Sequence, residues 1–159
     1  MATNRHFGPL WRAPVIPTHR RMEIVMSLDN VLKKVQTSVP ECLAAGVVDM
    51  ETGMLLSMRT VDSHPSEVID MLAAATGELF QGENVTMIEN TFKRIRGVKD
   101  EGHHYFQEIL IFSDNLLHLF QRCKKNSNVV MVTVCRKKAN VGMVMVKARS
   151  MMEEIDRAI

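Results

Sequence analysis

Residues 112–134 read FSDNLLHLFQRCKKNSNVVMVTV and contain the clearest signals of secondary structure in the chain. It leads into the run VVMVTVC at residues 129–135, which is rich in β-branched side chains and does not alternate between apolar and polar. A short apolar run without alternation is typical of a strand that is buried on both faces. We therefore predict that residues 129–135 form the central strand of a sheet.

A hairpin is predicted immediately before this strand. Residues 104–112 and 116–122 are aromatic, β-branched or leucine-rich, and Asp114-Asn115 between them is a turn signal. A turn at these two residues fixes which positions face each other. The predicted partners are Ile109 with Phe120, Leu110 with Leu119, Ile111 with His118, Phe112 with Leu117, Glu108 with Gln121 and Ser113 with Leu116. Both faces of this hairpin are apolar near the turn, so the sheet needs cover on both sides.

The remaining elements follow from periodicity. Ser27 can cap a helix whose apolar positions are Leu28, Val31, Leu32 and Val35. Residues 42–48 and 54–59 form a second predicted hairpin, with its turn at residues 49–53. Residues 65–96 predict one long helix or two short ones, interrupted at residues 82–84, and residues 144–158 predict a closing helix. The order α-β-β-α-β-β-β-α is that of an α+β domain with helices on both faces of its sheet.

Charge is distributed unevenly along the 159 residues. The formal net charge is +2, but residues 1–25 contain four arginines against one glutamate, so the remainder carries a net charge of −1. We interpret residues 1–25, which contain three prolines, as a disordered basic extension. It is either a genuine tail or a non-native segment, in which case the natural protein starts at Met22 or Met26. Residues 26–159 are the predicted domain, and its charge does not favour nucleic-acid binding.

The chain lacks the common signatures of catalysis and cofactor binding. It has no glycine-rich phosphate-binding motif and no CxxC pair. Cys42, Cys123 and Cys135 are far apart in sequence and have apolar neighbours, which favours reduced thiols and a cytoplasmic protein. Neighbouring strand positions such as His103 and His104 point to opposite faces, so we expect no metal site. We also expect no catalytic site and no cofactor.

Two surface features favour protein partners. Lys93, Arg94 and Arg96 form a basic cluster, which is either a solvated rim or a surface for an acidic partner. Thirteen methionines supply core filling, and some could form an adaptable contact surface. No apolar run is long enough to insert into a membrane.

Three stretches of residues 27–158 resemble the roadblock/dynein light chain family, in particular its bacterial proteins with a single roadblock domain. They are AAGVVDMETGMLLSM (residues 44–58), FSDNLLHLFQRCKKNSNVVMVTV, and KKANVGMVMVKARSMMEEI (residues 137–155), where Asn140 and Gly142 enter the last helix. The resemblance implies a profilin-like fold with a five-stranded antiparallel sheet between helices. It also implies a homodimer or a heterodimer, with the long second helix and the third strand at its interface. The implied dimer edge comprises His104, Tyr105, Phe106, Gln107, Glu108, Ile109 and Ile111.

Members of this family are mostly scaffolds that bind small Ras-like GTPases, or cargo and motor subunits. One bacterial branch stimulates a gliding-motility GTPase without donating a catalytic residue. The resemblance therefore implies a dimeric, non-enzymatic, cytoplasmic adaptor that regulates or tethers a small GTPase, with Lys93, Arg94 and Arg96 as a candidate partner surface. Two alternatives are a small-molecule sensor with a cavity near the sheet and an enzyme that uses Cys123 with a histidine.

Overall fold

The computed structural model describes residues 17–63, 66–99, 102 and 104–159. The elements in chain order are α1 (Thr18–Ser38), β1 (Cys42–Asp49), β2 (Met54–Thr60), α2 (Ser66–Gln81), α3 (Glu83–Arg96), β3 (Glu108–Phe112), β4 (Leu116–Arg122), β5 (Val129–Arg136) and α4 (Val141–Ala158). This is the predicted α+β class, with the second helical region divided in two.

The five strands form one antiparallel sheet in the order β2-β1-β5-β4-β3. Strand β5 lies at the centre, and Val129, Val130 and Met131 are all buried although they point alternately to opposite faces. The prediction of a central strand buried on both faces is therefore confirmed. Strands β2 and β3 form the two edges of the sheet.

The predicted register of the β3–β4 hairpin is confirmed pair by pair, from Glu108 opposite Gln121 to Phe112 opposite Leu117. The Ser113 N–H donates to the Leu116 carbonyl at 3.0 Å, which closes the turn around Asp114 and Asn115. A two-residue turn permits only one register, and this explains why the sequence specifies the pairing.

The larger hydrophobic core lies between one face of the sheet and the helices α1 and α4. It includes Leu32, Val47, Met131 and Ile155, each fully buried. The opposite face carries a smaller core around Phe80 of α2, with Met50 and Val130. The sheet is therefore covered on both sides, as predicted, but α2 and α3 bury less apolar surface than α1 and α4.

Helix α1 begins earlier than predicted. It starts at Thr18 rather than near Leu28, and Pro17 stands at its N-cap position, where its carbonyl accepts from the Arg21 N–H at 3.1 Å. The prediction of disorder up to residue 25 is therefore wrong for residues 18–25. No proline or glycine interrupts these residues, so the helix that Leu28 anchors continues back to the proline. Residues 1–16 lie outside the described residues, and the domain boundary stays a prediction.

The second helical region divides into α2 and α3 at Gly82. Of the two predicted alternatives, two short helices are therefore confirmed. A Cβ at this position would lie 2.6 Å from the Glu78 carbonyl oxygen, so the close approach of the chain here requires glycine. Helix α3 ends at Gly97, whose φ of 64° lies in the left-handed region that glycine adopts most easily. Among the described residues, no helix is long and apolar enough to cross a membrane.

Candidate protein-interaction surface

One face of α3 is apolar and exposed. Ile88, Phe92 and Ile95 lie at i, i+4 and i+7, which places them on one side of the helix. Phe92 is 51% exposed and Ile95 is 73% exposed. The Phe92 ring meets the Tyr105 ring edge to face, with 6.1 Å between their centroids, so the stripe continues into the segment before β3. We call Ile88, Phe92, Ile95, Tyr105 and the free edge of β3 the α3–β3 surface.

Strand β3 supplies the second part of this surface. Within the described part of the chain, its Glu108–Phe112 backbone pairs with β4 on one side only, since β3 is the last strand in the sheet. The outer backbone groups of an edge strand can pair with a strand of another chain. An unpaired edge beside exposed aromatic and aliphatic side chains favours contact with a protein over contact with a small polar ligand.

The predicted dimer edge falls into two parts. Glu108, Ile109 and Ile111 lie in β3, as expected, but residues 104–107 are not part of the strand. The carboxylate of Glu89 accepts hydrogen bonds from the backbone N–H groups of Tyr105 (2.8 Å) and Phe106 (3.4 Å). These donors are therefore engaged by α3 and do not join the sheet ladder, so the prediction of a strand from residue 104 is wrong.

Glu89 is the anchor of this segment on α3. The residue is 3% exposed, and its second carboxylate oxygen lies 3.0 Å from His104 Nδ1. Burial pushes the pKa of Glu89 upward, but the hydrogen bonds from His104, Tyr105 and Phe106 outweigh it, so the pKa lies below its usual value. Glu89 is therefore held as a carboxylate that fixes residues 104–106 against α3.

Arg122 holds the same segment from the sheet side. It is 4% exposed, and its guanidinium donates to the carbonyls of Phe106 (3.1 Å), Phe80 (3.2 Å) and Ser127. It also lies 5.0 Å from the centroid of the Phe80 ring. Burial lowers the pKa of Arg122, and the nearby charge of Glu89 opposes this shift. Together, Glu89 and Arg122 hold the α3–β3 surface to the rest of the domain.

The predicted basic partner surface lies at the C-terminal end of α3. Lys93, Arg94 and Arg96 occupy the last turn of α3, where positive charge favours the helix C-terminus. Residues two positions apart on an α-helix differ by about 200°, so Arg94 and Arg96 point to nearly opposite sides. Arg94 instead borders an open depression along α3, which is lined by Glu83, Thr86, Met87, Asn90, Thr91 and Arg94. The basic partner surface stays a prediction.

The residues considered for chemistry are separated. The Cys123 thiol is buried beside Asp156, and burial, followed by the charge and hydrogen bond of that carboxylate, raises the pKa of Cys123 to about 12. His104 contacts Glu89 on the other side of the sheet, while burial lowers the pKa of His118 on β4. No group of three or more His, Cys, Asp or Glu residues within the described part of the chain could hold a metal ion. Among the described residues, the structure does not bring Cys123 and a histidine together, and His103 lies outside those residues.

Comparison with known proteins rests on the fold. No family model and no curated protein sequence matches the chain. The gliding protein MglB from Thermus thermophilus superposes with a TM-score of 0.63 at 17% identity, over 85% of this chain and 90% of that one. A Roadblock/LC7 domain from Streptomyces avermitilis superposes with a TM-score of 0.58 at 14% identity, over 81% and 94%. This chain has the roadblock fold. An MglB structure with a tetrameric arrangement has a TM-score of 0.63 at 16% identity, over 94% and 96%.

On this roadblock fold, Glu89 and Arg122 are residues that sequence reasoning missed. Glu89 lies in a helix whose other polar residues are mostly exposed, and Arg122 lies next to Lys124 and Lys125 and looks like part of a solvated basic loop. The helical period is the one sequence signal that points to Glu89. Glu89 follows Val85 by one helical turn, on the side of α3 that faces residues 104–106. Nothing in the sequence indicates which backbone groups these two side chains meet.

Proposed function

We propose that the protein is a dimeric, non-enzymatic, cytoplasmic roadblock adaptor that binds a small Ras-like GTPase and regulates or tethers it. The observation that carries the proposal is the α3–β3 surface, where exposed Ile88, Phe92 and Ile95 adjoin an unpaired strand edge. A second copy of the chain would pair its β3 with this edge and cover both apolar stripes. The fold shared with gliding protein MglB, and the tetrameric arrangement of one MglB, support self-association.

The dimer is tested by light scattering on the purified protein at micromolar concentration. We expect twice the mass of one chain, and we expect Phe92→Asp to yield the monomer because a charge would be buried in the interface. Val146→Asp is the matched control, since Val146 is a similarly exposed apolar residue on α4, on the opposite face. A monomeric natural protein, or equal loss of the dimer in both variants, would contradict the proposal.

The partner is tested separately with small GTPases from the source cell, each loaded with GDP or a non-hydrolysable GTP analogue. We expect one GTPase to bind in a nucleotide-dependent way. A change in its GTP hydrolysis rate when the adaptor is added indicates regulation, whereas a constant rate indicates tethering. The single charge reversals Lys93→Glu, Arg94→Glu and Arg96→Glu should each slow association with the GTPase if this cluster meets an acidic partner. Lys124→Glu is the control for a change in net charge alone. Absence of binding to every GTPase in both nucleotide states would refute the partner assignment without affecting the dimer.

A further inference from the structure

Two of the three cysteines meet across the centre of the sheet. Cys42 is the first residue of β1 and Cys135 lies near the end of β5, and the two are Cα partners in the antiparallel pairing of these strands. Both are free thiols. Cys135 is fully buried, whereas Cys42 is only partly buried. Cys42 is therefore the more exposed residue of the pair.

The pairing geometry suits a disulfide bond. The Arg136 N–H donates to the Glu41 carbonyl at 3.0 Å, one position outside the pair, so Cys42 and Cys135 form a non-hydrogen-bonded pair of the ladder. In such a pair the Cα atoms lie about 4.5 Å apart and the side chains are close together on one face. That separation falls within the range of about 4.4–6.8 Å that disulfides require.

The chain around Cys42 also departs from regular strand geometry. Glu41 has a φ of 56°, in the left-handed region, and the β1–β5 register shifts between Cys42 and Ala44. The Sγ of Cys42 lies 3.4 Å from the Ala44 carbonyl oxygen.

We infer that Cys42 and Cys135 form a reversible intrachain disulfide between β1 and β5 when the protein is exposed to hydrogen peroxide.

The chemistry balances with hydrogen peroxide as the oxidant. The sulfur of Cys42, after losing its proton, attacks one peroxide oxygen, the O–O bond breaks, and Cys42 becomes a sulfenic acid while one water leaves. The Cys135 thiolate then attacks Cys42 Sγ, the S–S bond forms, and the departing hydroxide takes a proton to become a second water. The two thiols together lose two electrons, and one peroxide is reduced to two waters.

The bond would join the two central strands of the sheet and close a loop that contains most of the domain. Closing a long loop restricts the unfolded chain, so the oxidised protein should unfold at a higher temperature than the reduced protein. We expect an increase in Tm of roughly 5–15 °C, given the size of the chain.

The experiment uses the natural full-length protein, treated with hydrogen peroxide and then denatured. We expect thiol titration to fall from three groups to one, and peptide mapping to find Cys42 linked to Cys135 within one chain, with dithiothreitol restoring all three thiols. Cys123→Ser should form the same bond, whereas Cys42→Ser should not. Retention of three thiols, a bond that involves Cys123, a bond between two chains, or oxidation of Cys42 without a disulfide would each overturn the inference. The peptide map of the natural protein decides the matter even if a variant fails to fold.

Discussion

Replacement of Glu89 tests how the α3–β3 surface is held in place. Glu89→Ala removes a carboxylate that accepts from Tyr105 N–H at 2.8 Å, from His104 Nδ1 at 3.0 Å and from Phe106 N–H at 3.4 Å. It also leaves Arg122, which is 4% exposed, without its nearby negative charge. The variant should therefore lose both stability and the fixed position of residues 104–106.

The expected loss follows from these contacts. A hydrogen bond to a charged group contributes about 1.5–3 kcal/mol, and the short bond from Tyr105 should count fully. The His104 bond should count less because that side chain is 26% exposed and can turn to water. With the added cost to Arg122, we expect a loss of about 3 kcal/mol in the free energy of unfolding. Domains are typically stable by about 5–15 kcal/mol, so the variant should still fold.

Urea denaturation at a fixed protein concentration measures this loss. A slope of about 2 kcal/mol/M places the midpoint of Glu89→Ala roughly 1.5 M lower than that of the natural protein. Glu83→Gln is the control, since Glu83 is exposed on the same helix and should change stability by no more than about 0.5 kcal/mol. A midpoint for Glu89→Ala within about 0.2 M of the natural protein would show that these hydrogen bonds contribute little to stability.

The pH dependence gives an independent test. The pKa of Glu89 is lower in the folded protein than in the unfolded chain, so its stabilising contribution is present above the unfolded value of about 4.3. It is lost as the pH falls through the folded value. The difference in stability between the natural protein and Glu89→Gln should therefore be present above about pH 4 and should shrink as the pH falls below that value. A difference that persists or grows below about pH 4 would show that Glu89 is not stabilised as a carboxylate.

Three further changes probe single features of the fold by thermal or urea unfolding. Asn140→Ala removes the side-chain oxygen that accepts from the Met143 N–H at 3.0 Å, and it should destabilise the protein by about 1 kcal/mol, whereas Asn140→Asp should restore most of the loss. Gly97→Ala should cost about 1 kcal/mol although nothing lies within 4 Å of the new Cβ, because its φ is +64°, and Gly97→Asn should be milder. Lys34→Ala breaks the 2.6 Å contact with Glu154 but should change stability by less than about 0.5 kcal/mol, since Lys34 is more than half exposed; a larger effect would indicate a stronger pair than the surface position allows.

The sheet could be predicted from local signals because the composition of its strands and the residues of its turn both agree with the observed pairing. The run at residues 129–135 has the composition of a doubly buried strand, and the turn at Asp114-Asn115 allows one register for the β3–β4 hairpin. The start of α1 was not predictable from the apolar period, because residues 18–25 are mostly exposed and carry little of that pattern. Their helical state depends on continuation from the buried turns that follow.

The candidate surface was predicted only in part, and the reason is physical. Residues 104–107 have the composition of a strand, but a carboxylate from α3 takes the backbone N–H groups of Tyr105 and Phe106. Such competition depends on contacts between distant residues, and no local propensity encodes it. The Cys42–Cys135 pair is hidden for the same reason, because only the alignment of β1 with β5 brings the two thiols together.

The place of β5 at the centre of the sheet has a consequence for how the chain is made. Strand β1 needs β5 as a neighbour, as Val47 pairs with Met131, yet β5 is the last strand to leave the ribosome. At synthesis rates of about 5–20 residues per second, the β1–β2 hairpin waits for seconds with its inner edge unpaired. Pairing between such distant segments also slows folding itself. The nascent chain is therefore most exposed to aggregation while residues 61–128 emerge, and a chaperone that shields the first hairpin would act during that interval.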